Sequence, residues 1–124
     1  MVNNIARDKT TLKQTNVVYQ YKCTIGDCAL LPGNTYIGLT TTTLTRRLTY
    51  HKQQGAPKNH TESEHNTQLT RDMLVNNTTI LDYAQDKRRL AIMEAIHIRN
   101  SKPVLNGQMT SRVKLSLFEG PRLQ

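Results

Sequence analysis

Two paired motifs and a set of catalytic residue types carry the chemistry open to this 124-residue chain. Cys23 and Cys28 form a C-x4-C pair, and His60 and His65 form an H-x4-H pair. Two thiolates and two imidazoles fill a tetrahedral Zn²⁺ shell and leave no place for water, so a site built from them is structural. The competing assignment is two buried thiols and two surface imidazoles. Outside these pairs stand the carboxylate of Glu94, the guanidinium and imidazole of Arg47 and His51 one helical turn apart, and the phenols of Tyr19 and Tyr36. Phosphodiester hydrolysis could use them all, because it must create a nucleophile, neutralise charge in the transition state and stabilise a leaving oxygen. Glu94 alone is chemically adequate to hold a Mg²⁺ or Mn²⁺ ion that keeps most of its waters; its other use is a solvated carboxylate paired with His97 or Arg99. His51 can orient a phosphate or assist proton transfer, or lie idle at the surface. A free phenol titrates near ~10, so either tyrosine needs a neighbouring cation before it can accept a proton, and otherwise serves as an ordinary strand aromatic.

These groups require a scaffold. The β-branched and aromatic run 17–21 suits a strand, and Gly33-Asn34 turns the chain into a second strand at 35–38. The dozen residues between them hold both cysteines, more than a tight hairpin requires, so something should fix that loop. Thr40 to Thr43 offer N-caps for a helix over 44–54, in which Leu44 and Leu48 face the core and Gly55-Ala56-Pro57 ends the run. A second helix is predicted near 64–74, a third strand at 78–81, and the clearest helix over 86–98, with Leu90, Met93 and Ile96 to Ile98 on its buried side and Glu94 at the edge of that stripe. Ser101-Lys102-Pro103 breaks it. Residues 1–14 read as a flexible or loosely docked lead-in, 15–110 as the folded domain, and 111–124 as an extension whose run 113–118 is either a strand or a tail. The predicted class is α+β, a small, mostly antiparallel three-stranded sheet flanked by helices.

Only 36% of residues are apolar, with no Trp and one Phe, so the core is lean and a cross-link would help it. Seventeen Lys and Arg against nine Asp and Glu leave a net charge of +8, a field suited to a polyanion. The cations are grouped. Arg46, Arg47, Lys52 and Lys58 follow the second strand, and Lys87, Arg88, Arg89, Arg99 and Lys102 surround Glu94. No apolar run approaches the ~20 residues of a membrane span and the amino terminus lacks a signal-peptide core, so the expectation is an intracellular protein with no membrane partner, its cysteines being thiols or metal ligands.

Val17-Val18-Tyr19, Thr35-Tyr36-Ile37-Gly38, the Arg47/His51 pair, Glu94 and Pro103-Val104-Leu105-Asn106 together resemble the GIY-YIG nuclease family over residues 16 to 107. The Cys/His set is similar to that of its Penelope-type retroelement branch. The resemblance implies a metal-dependent DNA endonuclease that nicks a target for retrotransposition, a nuclear location, and a reverse transcriptase domain in the same or a parent polypeptide. It further implies that Arg47 contacts the scissile phosphate, that Tyr19 is the favoured general base, and that Asn106 holds the site together through its amide; read alone, Asn106-Gly107 is a common turn pair. The chain departs from the family at Val17, where the family has glycine. Arg46, Lys52, Lys58, Arg88 and Arg89 are the expected nucleic-acid contacts. A zinc-stabilised nucleic-acid-binding module without cleavage fits the same charge and Cys/His set, and a repair- or restriction-type relative would confine cutting to flaps, junctions or one short site.

Overall fold

A computed structural model of the chain describes residues 9–107. Its centre is β1 (Val17–Lys22), flanked by β2 (Thr35–Thr40) and β3 (Thr78–Tyr83) in one antiparallel sheet of order β2-β1-β3. The α+β class read from the sequence is therefore the observed one. Val17, Val18, Tyr19 and Tyr21 are all buried, as a central strand covered on both faces demands. Alternation divides its side chains. Val17, Tyr19, Tyr21 and Cys23 join Leu44, Leu48, Leu69, Leu74 and Leu105 in one core cluster, whereas Val18 meets Ile37, Ala84 and Leu90 on the opposite face. Tyr19 lies opposite Gly38 and Tyr21 opposite Tyr36, and β1 slips register against β3 between Val18 and Tyr19.

The helices sit on both sides of this sheet. Helix α2 (Leu44–Gln53) starts at Thr43, whose hydroxyl accepts the Arg46 N–H, and turns Leu44, Leu48 and His51 inward. Ahead of it, the one-turn α1 (Lys9–Leu12) lies within the expected lead-in and buries Thr11. Gly55-Ala56-Pro57 ends α2 and also begins α3 (Ala56–His65): Gly55 takes φ 107°, and proline stands at the first turn, where its missing N–H does no harm. The single helix expected near 64–74 is instead the end of α3 and all of α4 (Arg71–Asn77). Asn66 closes α3 in the left-handed region, and Thr70 caps α4. Asn77 then passes directly into β3.

Helix α5 (Lys87–Ser101) is capped by Asp86, which accepts the Arg89 N–H, and ends at Lys102 with φ 49°. Leu90 is buried, and Met93, His97 and Ile98 are partly so. Ile96, expected on the buried side, is 51% exposed beside Ile92 at 53%, because these two lie four residues apart on the opposite side of the helix. Among the described residues no helix is long and apolar enough to cross a membrane. The expected extension at 111–124, including run 113–118, lies outside the described residues.

Candidate functional site

Four side chains from three elements meet above the β1–β2 pair. Tyr19 points from β1 across Gly38, where a Cβ would stand 2.6 Å from the Tyr19 Oη and 3.0 Å from the Tyr36 Cε2. Only a residue without a side chain lets the phenol cross β2 there. The Tyr19 Oη reaches the His51 Nε2 at 2.6 Å and accepts a hydrogen bond from the Arg47 Nε at 3.1 Å. One turn of α2 thus supplies both partners, as the spacing predicted. Tyr36 meets the His51 ring edge-on at 5.2 Å, and the Arg47 guanidinium lies 4.4 Å from the centroid of Tyr50.

Tyr19 is fully buried and His51 is 2% exposed, which excludes a surface histidine. Burial, reinforced by the Arg47 cation, pushes the His51 pKa down from 6.5 to about 4, so the ring is neutral at pH 7. Because Arg47 donates to Tyr19, a phenol hydrogen is available for the Nε2 lone pair; the Nδ1 then carries the ring proton, and it is buried without a hydrogen-bond partner. Burial raises the Tyr19 pKa far above 10, outweighing the lowering by Arg47. Tyr36 is raised as well, with Arg47 again acting the other way. A cation does stand beside both phenols, but desolvation wins.

Glu94 projects from α5 half-buried, and burial lifts its pKa against the pull of Arg47. It is close enough to raise the pKa of both tyrosines through its charge. The expected acid, guanidinium, imidazole and phenols therefore lie within one electrostatic neighbourhood. Asn106 pairs with the backbone of β2. Its Oδ1 accepts the Ile37 N–H and its Nδ2 donates to the Ile37 carbonyl, both at 2.8 Å. Since β2 is an edge strand, the amide stands in for a neighbouring strand next to Tyr36 and Gly38. Of the expected nucleic-acid contacts, Arg46, Lys52, Arg88 and Arg89 are exposed, whereas Lys58 is bound to Glu62 at 2.8 Å, which lessens its charge toward a ligand.

The cysteines and histidines converge at the other end of β1. Their four ligand atoms all lie within 4.8 Å of one another. The Cys23 Sγ is 3.4 Å from the His65 Nε2, and the Cys28 Sγ is 3.5 and 3.4 Å from the Nε2 atoms of His60 and His65. A tetrahedral ion with metal–sulfur bonds of about 2.3 Å and metal–nitrogen bonds of about 2.0 Å has sulfur–nitrogen edges of about 3.5 Å. The group fits a metal ion, and the cysteines form no disulfide. The long loop is fixed as well. The Lys22 ammonium donates to the carbonyls of Cys23, Cys28 and Leu31, and Asn34 donates its amide to the Cys28 Sγ at 3.0 Å.

Three residues escaped the sequence reading: Tyr50, Gly38 as a steric requirement, and Lys22. Tyr50 was detectable, since it lies three residues after Arg47 on the same helical face. The fan of bonds from Lys22 had no sequence signal, because it depends on carbonyls whose direction only the folded loop defines. Compared with protein-family models, curated proteins and solved structures, the chain finds no match in any of the three.

Proposed function

We propose that this chain is a metal-dependent DNA endonuclease of GIY-YIG type that nicks its substrate, with one structural Zn²⁺ on Cys23, Cys28, His60 and His65. The observation that carries the reading is the hydrogen-bonded Tyr19–His51–Arg47 group, flanked by Tyr36 and within electrostatic reach of Glu94.

A half-buried carboxylate whose pKa is raised by burial gains from a nearby cation, so Glu94 suits Mg²⁺ or Mn²⁺ as the one protein ligand among waters. Such an ion supplies positive charge to a reacting phosphate and lowers the pKa of nearby water and phenol. The side chains do the rest. Arg47 has its Nε on Tyr19, its guanidinium carbon 4.4 Å from the Tyr50 ring centroid and a further side-chain hydrogen bond with Tyr36, an anchorage that orients its fork toward a phosphate. Tyr36 is the phenol with solvent access, so it is the better placed of the two to release its own proton to bulk water beside a bound cation and then, as the phenolate, to take a proton from an attacking water. Tyr19, sealed and bonded twice, positions Arg47, and neutral His51 accepts the Tyr19 hydroxyl hydrogen bond and so holds the phenol in place. This assignment moves the base role from the tyrosine the family resemblance favours to its partner on β2.

The test is nicking of supercoiled plasmid with Mg²⁺ or Mn²⁺. Cleavage by the parent, abolished by Glu94→Ala while DNA binding persists, supports the enzyme. DNA binding without cleavage by the parent overturns it in favour of the zinc-stabilised binding module, which the Cys/His convergence and the net charge of +8 fit equally well.

A further inference from the structure

Beside the Tyr19–Arg47 cluster, a groove of about 420 Å³ runs between the end of β2 and the outer side of α2, lined by Leu39, Thr40, Thr42, Arg46, Arg47 and Tyr50. The volume falls within the range of sites that hold nucleotide-sized ligands. Its chemistry is uneven in a useful way. Arg46 and Arg47 line one side from α2, threonines 40–42 line the other, and among the described residues no carboxylate lines it. The threonine wall is held in shape, since the Thr40 Oγ1 accepts the Thr42 N–H at 3.1 Å and lies 3.0 Å from the Thr42 Oγ1. Arg46 is exposed, and its side chain has no ion-pair partner among the described residues. Tyr50 follows Arg46 by four residues and Arg47 by three, so all three share one side of α2, with the Arg47 guanidinium 4.4 Å from the Tyr50 ring centroid.

We propose that this groove takes the DNA backbone flanking the scissile phosphate: Arg46 pairs with the neighbouring phosphate, and Tyr50 is a positioning residue that fixes the plane of Arg47. The proposal rests on the nuclease reading for the word scissile, but its binding part stands on the groove alone. A cationic, hydroxyl-lined groove matches a sugar–phosphate chain, whose contacts are ionic and independent of base identity. Tyr50 acts through ring-to-cation contact, so its hydroxyl is dispensable and its ring is not.

The experiment measures binding of a fluorescein-labelled 20-base-pair duplex across a salt series, together with plasmid nicking, for the parent, Arg46→Gln, Tyr50→Ala, Tyr50→Phe and Lys9→Gln. Lys9→Gln removes the same charge from an exposed position on α1, and thermal melting checks that each variant is folded. Arg46→Gln is expected to weaken binding and reduce the salt slope by about one, with a smaller change for Lys9→Gln. Tyr50→Ala is expected to lower affinity and nicking roughly 2- to 30-fold, and Tyr50→Phe to restore both. If Arg46→Gln and Tyr50→Ala behave like Lys9→Gln while the parent nicks DNA, the groove is refuted and the nuclease reading survives. If the parent binds without nicking, the nuclease reading falls and the Arg46→Gln salt slope still decides the groove. A parent that does not bind the duplex overturns both.

Discussion

Gly38→Ala is the sharpest single perturbation of the candidate site, because the structure sets its size. The new methyl would stand 2.6 Å from the Tyr19 Oη, 2.9 Å from its Cζ and 3.0 Å from the Tyr36 Cε2. Ordinary contact begins near 3.4 Å, so the Tyr19 oxygen must retreat by about 0.8 Å. It has little freedom to do so, for it is fully buried and bonded to His51 at 2.6 Å and Arg47 at 3.1 Å. Overpacking of this kind costs about 1–3 kcal/mol, and replacing glycine by alanine in a strand returns roughly 0.5–1 kcal/mol. The net loss is about 0–2.5 kcal/mol, a fall in Tm of up to roughly 10 °C for a domain of this size. On the nuclease reading the rate falls further than the stability, since ~1 Å of misplacement in a catalytic group can reduce turnover about 10²-fold. Thermal melting and plasmid nicking measure the two effects, and Gly107→Ala, where a Cβ meets nothing within 4 Å, is the matched control. If Gly38→Ala melts and nicks like Gly107→Ala, Tyr19 does not cross Gly38 and the reasoning fails.

Other perturbations separate the remaining contributions. His51 is depressed in the folded chain to about 4 from 6.5, so the unfolded chain binds the extra proton between these values; stability is full above pH 6.5 and falls by roughly 3 kcal/mol as pH drops through about 4. Urea denaturation at stepped pH should show this acid limb flattened in His51→Gln, and an equal slope in both proteins would contradict it. Asn106→Ala removes both bonds to Ile37 and should destabilise by about 1–3 kcal/mol, with loss of hydrogen-exchange protection at the Ile37 amide as the local readout. Cys28→Ser and a strong chelator should each displace about one Zn²⁺ per chain by elemental analysis and lower the Tm by more than 10 °C, since zinc binding in small modules reaches ~10–16 kcal/mol; a melting curve indifferent to chelator would remove the metal from the centre.

The strands were readable because each has a local cause. Val17 to Tyr21 alternate between two buried faces, Gly33-Asn34 turns the chain, and Thr78 opens an apolar run. Thr43, one of the candidate N-caps at 40–43, does cap α2, whereas Thr70 falls inside the single helix expected at 64–74 and instead caps α4. Ala56-Pro57 misled because proline marks the end of one helix and the first turn of the next with equal force, and only the left-handed turn at Gly55 decides that both occur within three residues. Ile96 was misassigned because Ile96, His97 and Ile98 form a continuous run that hides the helical period; the face is defined by Leu90, Met93 and Ile98, which touch the sheet. In the site, residue types and the Arg47/His51 spacing were legible, whereas the burial that neutralises His51 and seals Tyr19 arises from strands far apart in sequence.

Both candidate centres hang from the same face of β1, which changes how their loss must be interpreted. Tyr19, Tyr21 and Cys23 alternate along one strand, and at about 3.4 Å per residue the α-carbons of Tyr19 and Cys23 are only ~14 Å apart. His51 near the end of α2 and His60 within α3 are likewise separated by one short turn at Gly55, whose missing Cβ leaves room for the His51 Nδ1. Metal on the four ligands therefore tethers the two chain segments that carry Tyr19 and His51, although no ligand belongs to the Tyr19–Arg47 group. On the nuclease reading, removal of the zinc with Mg²⁺ resupplied for the assay should abolish nicking by loosening that pair, and it should do so together with the cooperative melt. Glu94→Ala, by contrast, should abolish activity with the Tm retained, because a half-buried acid with a raised pKa contributes little to folding when charged. Only if the two losses separate in this way are there two metal roles in the molecule; a Glu94→Ala variant that unfolds like the chelated protein would reduce them to one.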